Sequence, residues 1–204
     1  MKKVSDNYPV AKAIDDSHQH EHNRYSSQHA YLMVSVLPFF DMIHEAVFAG
    51  GCFWGLEDLL RSLPGVLDTE VGYTGGKNEN PTYEFHPGHA EAVCVTYDDT
   101  LTSYEKLLDW FFCVHNPTTS NQQGNDVGTS YRSAIFYKTE DEKGSAKKII
   151  ELVDTSERWS DSVVTTLEPF TTFYPAENHH QNYLLKNPEG YTCHAVYFKS
   201  YLPD

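Results

Sequence analysis

Ala46-Val47-Phe48-Ala49-Gly50-Gly51-Cys52-Phe53-Trp54-Gly55-Leu56-Glu57-Asp58-Leu59-Leu60 changes its hydrophobic rhythm at a single point. Ala46 to Ala49 is a short apolar run, as a buried strand requires. Beyond the glycine pair, Phe53, Leu56, Leu59 and Leu60 fall at helical spacing. Pro64-Gly65 ends that helix. Gly50-Gly51 is therefore a strand-to-helix turn, and Cys52 stands at or near a helix N-terminus.

The same reading extends to both sides. Val66 to Tyr73 is expected to form a strand ending at Gly75-Gly76. His89 to Asp98 alternates: His89, Glu91, Val93 and Val95 share one face and Ala90, Ala92, Cys94 and Thr96 the other. Thr102 with Glu105, and Thr139 with Glu142, have the spacing of helix-opening capping boxes. The first helix should end by Asn116-Pro117 and the second near Trp159. Ser133–Lys138 and Val163–Pro169 read as further strands, and beyond Pro175 the chain is polar and aromatic, a short helix followed by loop. Strands and helices interleaved in this way indicate an α/β or α+β fold.

The chain of 204 residues, 40% of them apolar, is long enough for one domain with a substantial core. Residues 1–44 differ from the rest: His18, His20, His22 and His29 lie among Ser, Gln, Asp and Glu, and 1–44 is expected to be a partly flexible extension to a domain over 45–204. The His-rich run is either a solvated polar tail or a metal-binding tract. Acidic residues outnumber basic ones by 29 to 15, for a net charge of -14. That balance excludes a phosphate-neutralising nucleic-acid surface. The apolar stretch from Tyr31 to Phe40 is broken by Ser35 and Pro38 and is about half of a membrane span. Met1-Lys2-Lys3 leads into polar residues rather than a signal-peptide core, so a cytoplasmic protein with no membrane association is expected. Four cysteines in a chain of this length suit buried, metal-binding or catalytic roles better than a disulfide framework. Cys52 and Cys193 have no partners at zinc-ligand spacing, so no core metal or cofactor is expected.

At a helix N-terminus, free amides and the helix dipole favour a thiolate, the form that attacks electrophiles. Phe53 belongs to the helix's apolar stripe, whereas Trp54 falls off it, toward a pocket. On these residues alone Cys52 is equally a reactive thiol or a buried structural one. The wider pattern decides. Gly50-Gly51-Cys52-Phe53-Trp54-Gly55 resembles the signature of A-type peptide methionine sulfoxide reductases. The resemblance continues in order through Gly72-Tyr73-Thr74-Gly75-Gly76, Pro81-Thr82-Tyr83, Gly88-His89-Ala90-Glu91-Ala92-Val93, Gln123-Gly124-Asn125-Asp126-Val127-Gly128, Tyr131-Arg132-Ser133-Ala134-Ile135 and Lys186-Asn187-Pro188 with Gly190-Tyr191.

The resemblance implies an α+β fold: a two-layer α/β sandwich, ferredoxin-like, with helices packed on a mixed or antiparallel sheet. It implies reduction of methionine S-sulfoxide, protein-bound or free, by Cys52. Phe53 and Trp54 would cage the methyl group. Glu91, Tyr83 and Tyr131 would hold the oxygen, with Glu91 as the acid, and Asp126 would organise the site. The Cys52 sulfenic acid would then condense with Cys193, and thioredoxin or a similar dithiol would reduce the disulfide, in a monomeric repair enzyme. Cys94 and Cys113 are expected to be structural. Two departures stand out: the segment between Tyr83 and Glu91 is short, which bears on substrate preference, and Asn116 replaces a frequent Asp before Pro117. The competing readings are a Cys/His hydrolase with His89 or His180 as base, and a module that binds without catalysis.

Overall fold

The computed structural model describes residues 42–203; the His-rich run and most of the 1–44 extension lie outside them. Among the described residues, eight strands and four α-helices follow one another as β1 (Ile43–Gly50), α1 (Phe53–Arg61), β2 (Val66–Thr74), β3 (Ala90–Asp98), α2 (Tyr104–Val114), β4 (Gln122–Gln123), β5 (Asp126–Val127), β6 (Ser133–Tyr137), α3 (Glu140–Thr155), β7 (Thr166–Pro169), β8 (Phe173–Pro175) and α4 (Tyr183–Lys186). Six strands form one sheet in the order β7-β6-β1-β3-β2-β8, and β4 and β5 form a separate hairpin. All pairs in the large sheet are antiparallel except β6–β7. The central order β6-β1-β3-β2, with α1 and α2 as the crossovers, is the expected ferredoxin-like arrangement.

The alternation in β3 divides the sheet into two faces. Val93 and Val95 join the main core with Phe48, Leu56, Leu60, Leu107 and Phe111, where α1, α2 and α3 pack. Ala90 and Ala92 lie on the opposite face with Val47, Ala49, Ala134 and Phe136, and Phe170 and Phe173 pack against them. Glu91 belongs by phase to the helix-covered face and is 1% exposed. The two central strands thus hold a carboxyl group in the core beneath the start of α1.

Some boundaries differ from the sequence reading. Ser103, not Thr102, caps α2, accepting a hydrogen bond from the Lys106 amide. Two adjacent hydroxyl residues compete for that position, and Thr102 is instead buried against Gly65. Glu105 forms no capping box and accepts from the Ser145 hydroxyl. Thr139 caps α3 as expected, through the Glu142 amide, and the Glu142 carboxylate reaches back to the Lys138 amide. That helix ends at Thr155, before Trp159, and β7 begins at Thr166 rather than Val163. Asn116 closes the turn after α2, where its side-chain oxygen accepts from the amide and hydroxyl of Thr118.

Candidate active site

The turn read from Gly50-Gly51 is present. Gly51 has φ +109, a conformation that disfavours a side chain, and a Cβ there would come within 2.4 Å of Gln123. Cys52 is the N-cap residue of α1 but makes no side-chain cap bond. The free amides of the first helical turn go to two functional groups instead. The Phe53 N–H donates to Glu91 Oε2 at 3.1 Å, and the Trp54 N–H faces the Cys52 thiol. One helix N-terminus therefore places the Cys52 thiol and the Glu91 carboxyl group side by side.

Their ionisation departs from the thiolate that the helix position suggested. Cys52 is 5% exposed, and burial, reinforced by Glu91, pushes its thiol well above the usual range, against the lowering by the Trp54 amide. Desolvation outweighs the partial charge at the helix end. Burial likewise pushes the Glu91 carboxyl up to about 8; the Phe53 amide works against this and Asp126 adds to it. At neutral pH the resting pair is a thiol beside a protonated carboxyl, which is what a hydrogen-bond donor and proton source must be.

Phe53 and Trp54 fall into one aromatic cluster. Phe53 is fully buried, with its ring against Tyr73 at 5.9 Å, Tyr83 at 6.3 Å and His180 at 5.5 Å. Trp54 is half-buried and stacks on Tyr183 at 4.0 Å and Tyr83 at 6.1 Å. Tyr83 is the outermost member, 37% exposed, with its hydroxyl pushed up to about 12 by burial and by Glu91. Tyr131 ends the short 3₁₀ turn Thr129–Tyr131 before β6, and burial and Glu91 also raise its hydroxyl. Both phenols stay protonated and can donate. Asp126, in the β4–β5 hairpin, has Oδ2 buried without a partner among the described residues.

Cys193 lies in the non-regular segment after α4, which is anchored rather than loose. Its carbonyl accepts from the Gln123 side chain at 3.1 Å, His194 Nε2 lies 2.8 Å from the Gly50 carbonyl, and the Tyr197 amide donates to the Cys113 carbonyl at 2.8 Å. The Cys193 thiol faces the Cys52 backbone and the Asp126 side chain; burial and then Asp126 push it up to about 12. The strand, helix start, hairpin, 3₁₀ turn and C-terminal segment thus bring together Cys52, Glu91, Tyr83, Tyr131, Asp126, Phe53, Trp54 and Cys193. Cys113 is fully buried on α2, and Cys94 lies on the sheet face opposite Glu91.

Sequence reasoning named His180 only as a hydrolase base, and it missed Glu177 and Glu57. His180, 3% exposed, accepts from Trp54 Nε1 through its Nδ1 at 3.1 Å, and its ring packs tilted against Tyr83 at 4.4 Å. Glu177 accepts from the Tyr73 hydroxyl and the Tyr83 amide, both at 3.0 Å. Glu57 was legible as an anomaly, a carboxylate on the buried 53/56/57/60 face of α1. It is fully buried, and its carboxyl accepts from the Asn182 amide at 2.9 Å, fixing the segment that carries His180 and Tyr183.

The hydrolase reading fails on geometry. His89 Nδ1 accepts from the Gly76 amide at 3.2 Å and its Nε2 donates to the Asn78 carbonyl at 3.0 Å, so neither nitrogen is free. His180 has Nδ1 occupied by Trp54, and its Nε2 makes no hydrogen bond among the described residues and lies 4.0 Å from the Glu177 carboxylate. Neither imidazole is paired with Cys52.

Comparison with known proteins agrees with the geometry. The family model described as peptide methionine sulfoxide reductase matches residues 44–201. A peptide methionine sulfoxide reductase MsrA of Mycobacterium sp. (strain JLS) is 57% identical over 150 residues, covering 74% of this chain and 88% of the relative. Among solved structures, reduced Mxr1 from Saccharomyces cerevisiae superposes with a TM-score of 0.70 at 36% identity, covering 75% of this chain and 90% of that one. Mxr1 in complex with Trx2 gives a TM-score of 0.51 at 26% identity, covering 70% and 86%. On the matched domain, the ordered motifs and the relatives together, the chain belongs to the A-type peptide methionine sulfoxide reductase family.

Proposed function

We propose that this reductase works through Cys52 as the nucleophile and Glu91 as the acid. The observation that carries the reading is the shared helix N-terminus: the Phe53 amide fixes a protonated Glu91 next to the Cys52 thiol. Sulfoxide reduction needs a proton on the departing oxygen and the removal of one from the attacking thiol. Glu91 gives the first and takes up the second. The Cys52 sulfur attacks the sulfoxide sulfur, the oxygen passes to Cys52, and methionine is released. The substrate sulfur is reduced by two electrons, and Cys52 is oxidised to a sulfenic acid. Tyr83 and Tyr131 donate hydrogen bonds to the oxygen, Trp54 and Phe53 wall the methyl group, and Asp126 organises the sulfenic acid stage. A site of oxygen-directed donors discriminates against methionine, which lacks the oxygen, by roughly 10⁴-fold.

Cys193 then resolves the sulfenic acid as a disulfide, with loss of water. Its thiol already faces the Cys52 backbone. The external dithiol is of the thioredoxin type; the complex of the related Mxr1 with Trx2 supports this. Protein-bound and free methionine S-sulfoxide are the proposed substrates. The reductase unit is residues 45–204, in keeping with the matched span 44–201, and the N-terminal 44 residues are an accessory extension. A monomer is proposed, as the resemblance implies. Among the described residues no helix is long and apolar enough to cross a membrane. A thiol cycle that depends on a dithiol reductant belongs in a reducing compartment, the cytoplasm.

Cys193→Ser tests the division of labour. One equivalent of methionine per enzyme should still form in a single turnover, thioredoxin-driven cycling should fall at least tenfold, and dithiothreitol should restore much of it by reducing the sulfenic acid directly. Loss of the single-turnover methionine would place Cys193 in the chemical step and overturn the scheme. Trp54→Ala tests the cage. It removes the stack on Tyr183 and the hydrogen bond to His180. KM for a methionine sulfoxide peptide should rise several-fold, as aromatic contact with sulfur groups is worth about 0.3–1.5 kcal/mol. Unchanged kinetic parameters would make Trp54 a scaffold residue only.

A further inference from the structure

The resolving step needs a base for the Cys193 thiol proton, and besides the Asp126 carboxylate that faces the thiol the site offers one further group. Cys193 is held as a thiol, and the Asp126 carboxyl faces it, so a bare thiolate there is disfavoured twice, by burial and by negative charge. The neighbouring imidazole is placed to remove the proton. His194 is 9% exposed, and its Nε2 lies 2.8 Å from the Gly50 carbonyl oxygen. A carbonyl can only accept, so Nε2 carries the hydrogen. In the neutral ring, Nδ1 is then a lone pair. That Nδ1 lies 3.5 Å from Cys193 Sγ.

We propose that His194 is the base for resolution: its Nδ1 takes the Cys193 thiol proton as the Cys52–Cys193 disulfide forms, while the Gly50 carbonyl holds the ring in the competent tautomer. The inference rests on the resolving role given to Cys193.

The ring is seated by the fold. A Cβ at Gly55 would come within 2.6 Å of His194 Nδ1, and one at Gly51 within 3.3 Å of its Cε1, so the bare turn around Cys52 is its socket. The His194 amide donates to the Thr192 hydroxyl at 3.2 Å, which fixes the backbone. The base is thereby tied to the turn that carries the sulfenic acid. Charged and titratable groups act on it from each side. Burial lowers the imidazole to about 4, the Gly50 carbonyl and the Asp126 carboxylate favour its protonated form, and His115, across the turn from α2, is itself kept neutral by burial. The resting pair is neutral thiol and neutral imidazole. As Cys193 Sγ bonds to Cys52 Sγ, its S–H proton passes to Nδ1. The Cys52 S–O bond breaks, and the departing hydroxyl takes up the proton that the imidazolium gives back and leaves as water, so that His194 ends neutral. The Cys193 sulfur is oxidised, the sulfenic sulfur is reduced, and no other reagent is consumed.

Rapid-quench experiments on the full chain, with excess methionine sulfoxide peptide and no reductant, measure methionine and the Cys52–Cys193 disulfide separately. His194→Gln can keep the hydrogen bond to Gly50 but has no base; His194→Asn places a weak acceptor near Nδ1. Both variants should release one equivalent of methionine at a rate within about threefold of the parent. Their disulfide should form more slowly by about 10²–10⁴-fold, the usual value of general base help. The methionine burst also shows that the variants are folded. Disulfide formation at the parental rate in His194→Gln would overturn the inference. So would an equal slowing of methionine release and disulfide formation, which would make His194 only a support for the Gly50 turn. Absence of a Cys52–Cys193 disulfide in the unmodified protein would instead remove the resolving role on which the inference rests.

Discussion

Cys52→Ser should abolish sulfoxide reduction and leave the fold intact. A serine hydroxyl is a far weaker nucleophile than sulfur and cannot be oxidised to carry the substrate oxygen, so no alternative route to methionine survives. Stability should change little. Cys52 stands at the N-cap of α1 without a side-chain cap bond, and serine is a favoured N-cap residue that replaces a small buried side chain. The expected shift is within about 1 kcal/mol, of either sign. Single-turnover methionine release and a thermal melt measure the two halves. Substantial turnover in the variant would displace Cys52 from the centre of the scheme. Loss of the melting transition would mean that the thiol is chiefly structural.

Glu91→Gln should slow the chemical step by about 10²–10⁴-fold. Glutamine has the same shape, keeps an acceptor for the Phe53 amide and retains a donor for the sulfoxide oxygen, but it delivers no proton. The pH dependence follows from the direction of the shift. With its carboxyl raised by burial to about 8, Glu91 is protonated and competent below that value, and the rate falls as pH rises through it. This descending limb should vanish in Glu91→Gln. Stability carries the same signature. A carboxyl whose folded value lies above its ordinary 4.5 favours the fold fully below 4.5, and that contribution is lost as pH rises toward about 8. Glu57, raised to about 7 chiefly by burial, behaves likewise, so the parent must be compared with the variant at each pH to isolate Glu91. A parental rate in the variant, or an unchanged alkaline limb, would remove Glu91 as the acid.

The parts of this molecule that follow from short-range pattern were legible in the sequence. Apolar spacing located β1, the Gly50-Gly51 turn and α1, and the alternation of β3 put Glu91 on the helix-covered face with Val93 and Val95. Elements too short to have a period were not: β8 is three residues ending in Pro175 at the sheet edge, and β4 and β5 are two residues each. Local chemistry also misled where tertiary burial reversed it. A helix N-terminus argues for a thiolate at Cys52, yet desolvation and the Glu91 carboxyl hold the thiol protonated. His194 and Gly50 are 144 positions apart, and His180 and Trp54 126, so no window of sequence could pair them. The C-terminal segment read as loop because it has no periodicity. Its order comes from single hydrogen bonds, such as that from Gln123 to the Cys193 carbonyl, rather than from a repeating ladder.

The most direct test of the central claim, that Cys52 takes the oxygen, is to locate that oxygen after one turnover. Cys193→Ser is mixed with methionine sulfoxide peptide in the absence of reductant, trapped with a sulfenic acid reagent, digested and mapped by mass spectrometry. The scheme places one trapped oxygen on the peptide containing Cys52, in equal amount to the methionine released, and in the parent protein a Cys52–Cys193 disulfide in its place. Methionine formed in stoichiometric amount with Cys52 unmodified, or with the oxygen on Cys94 or Cys113, would contradict it.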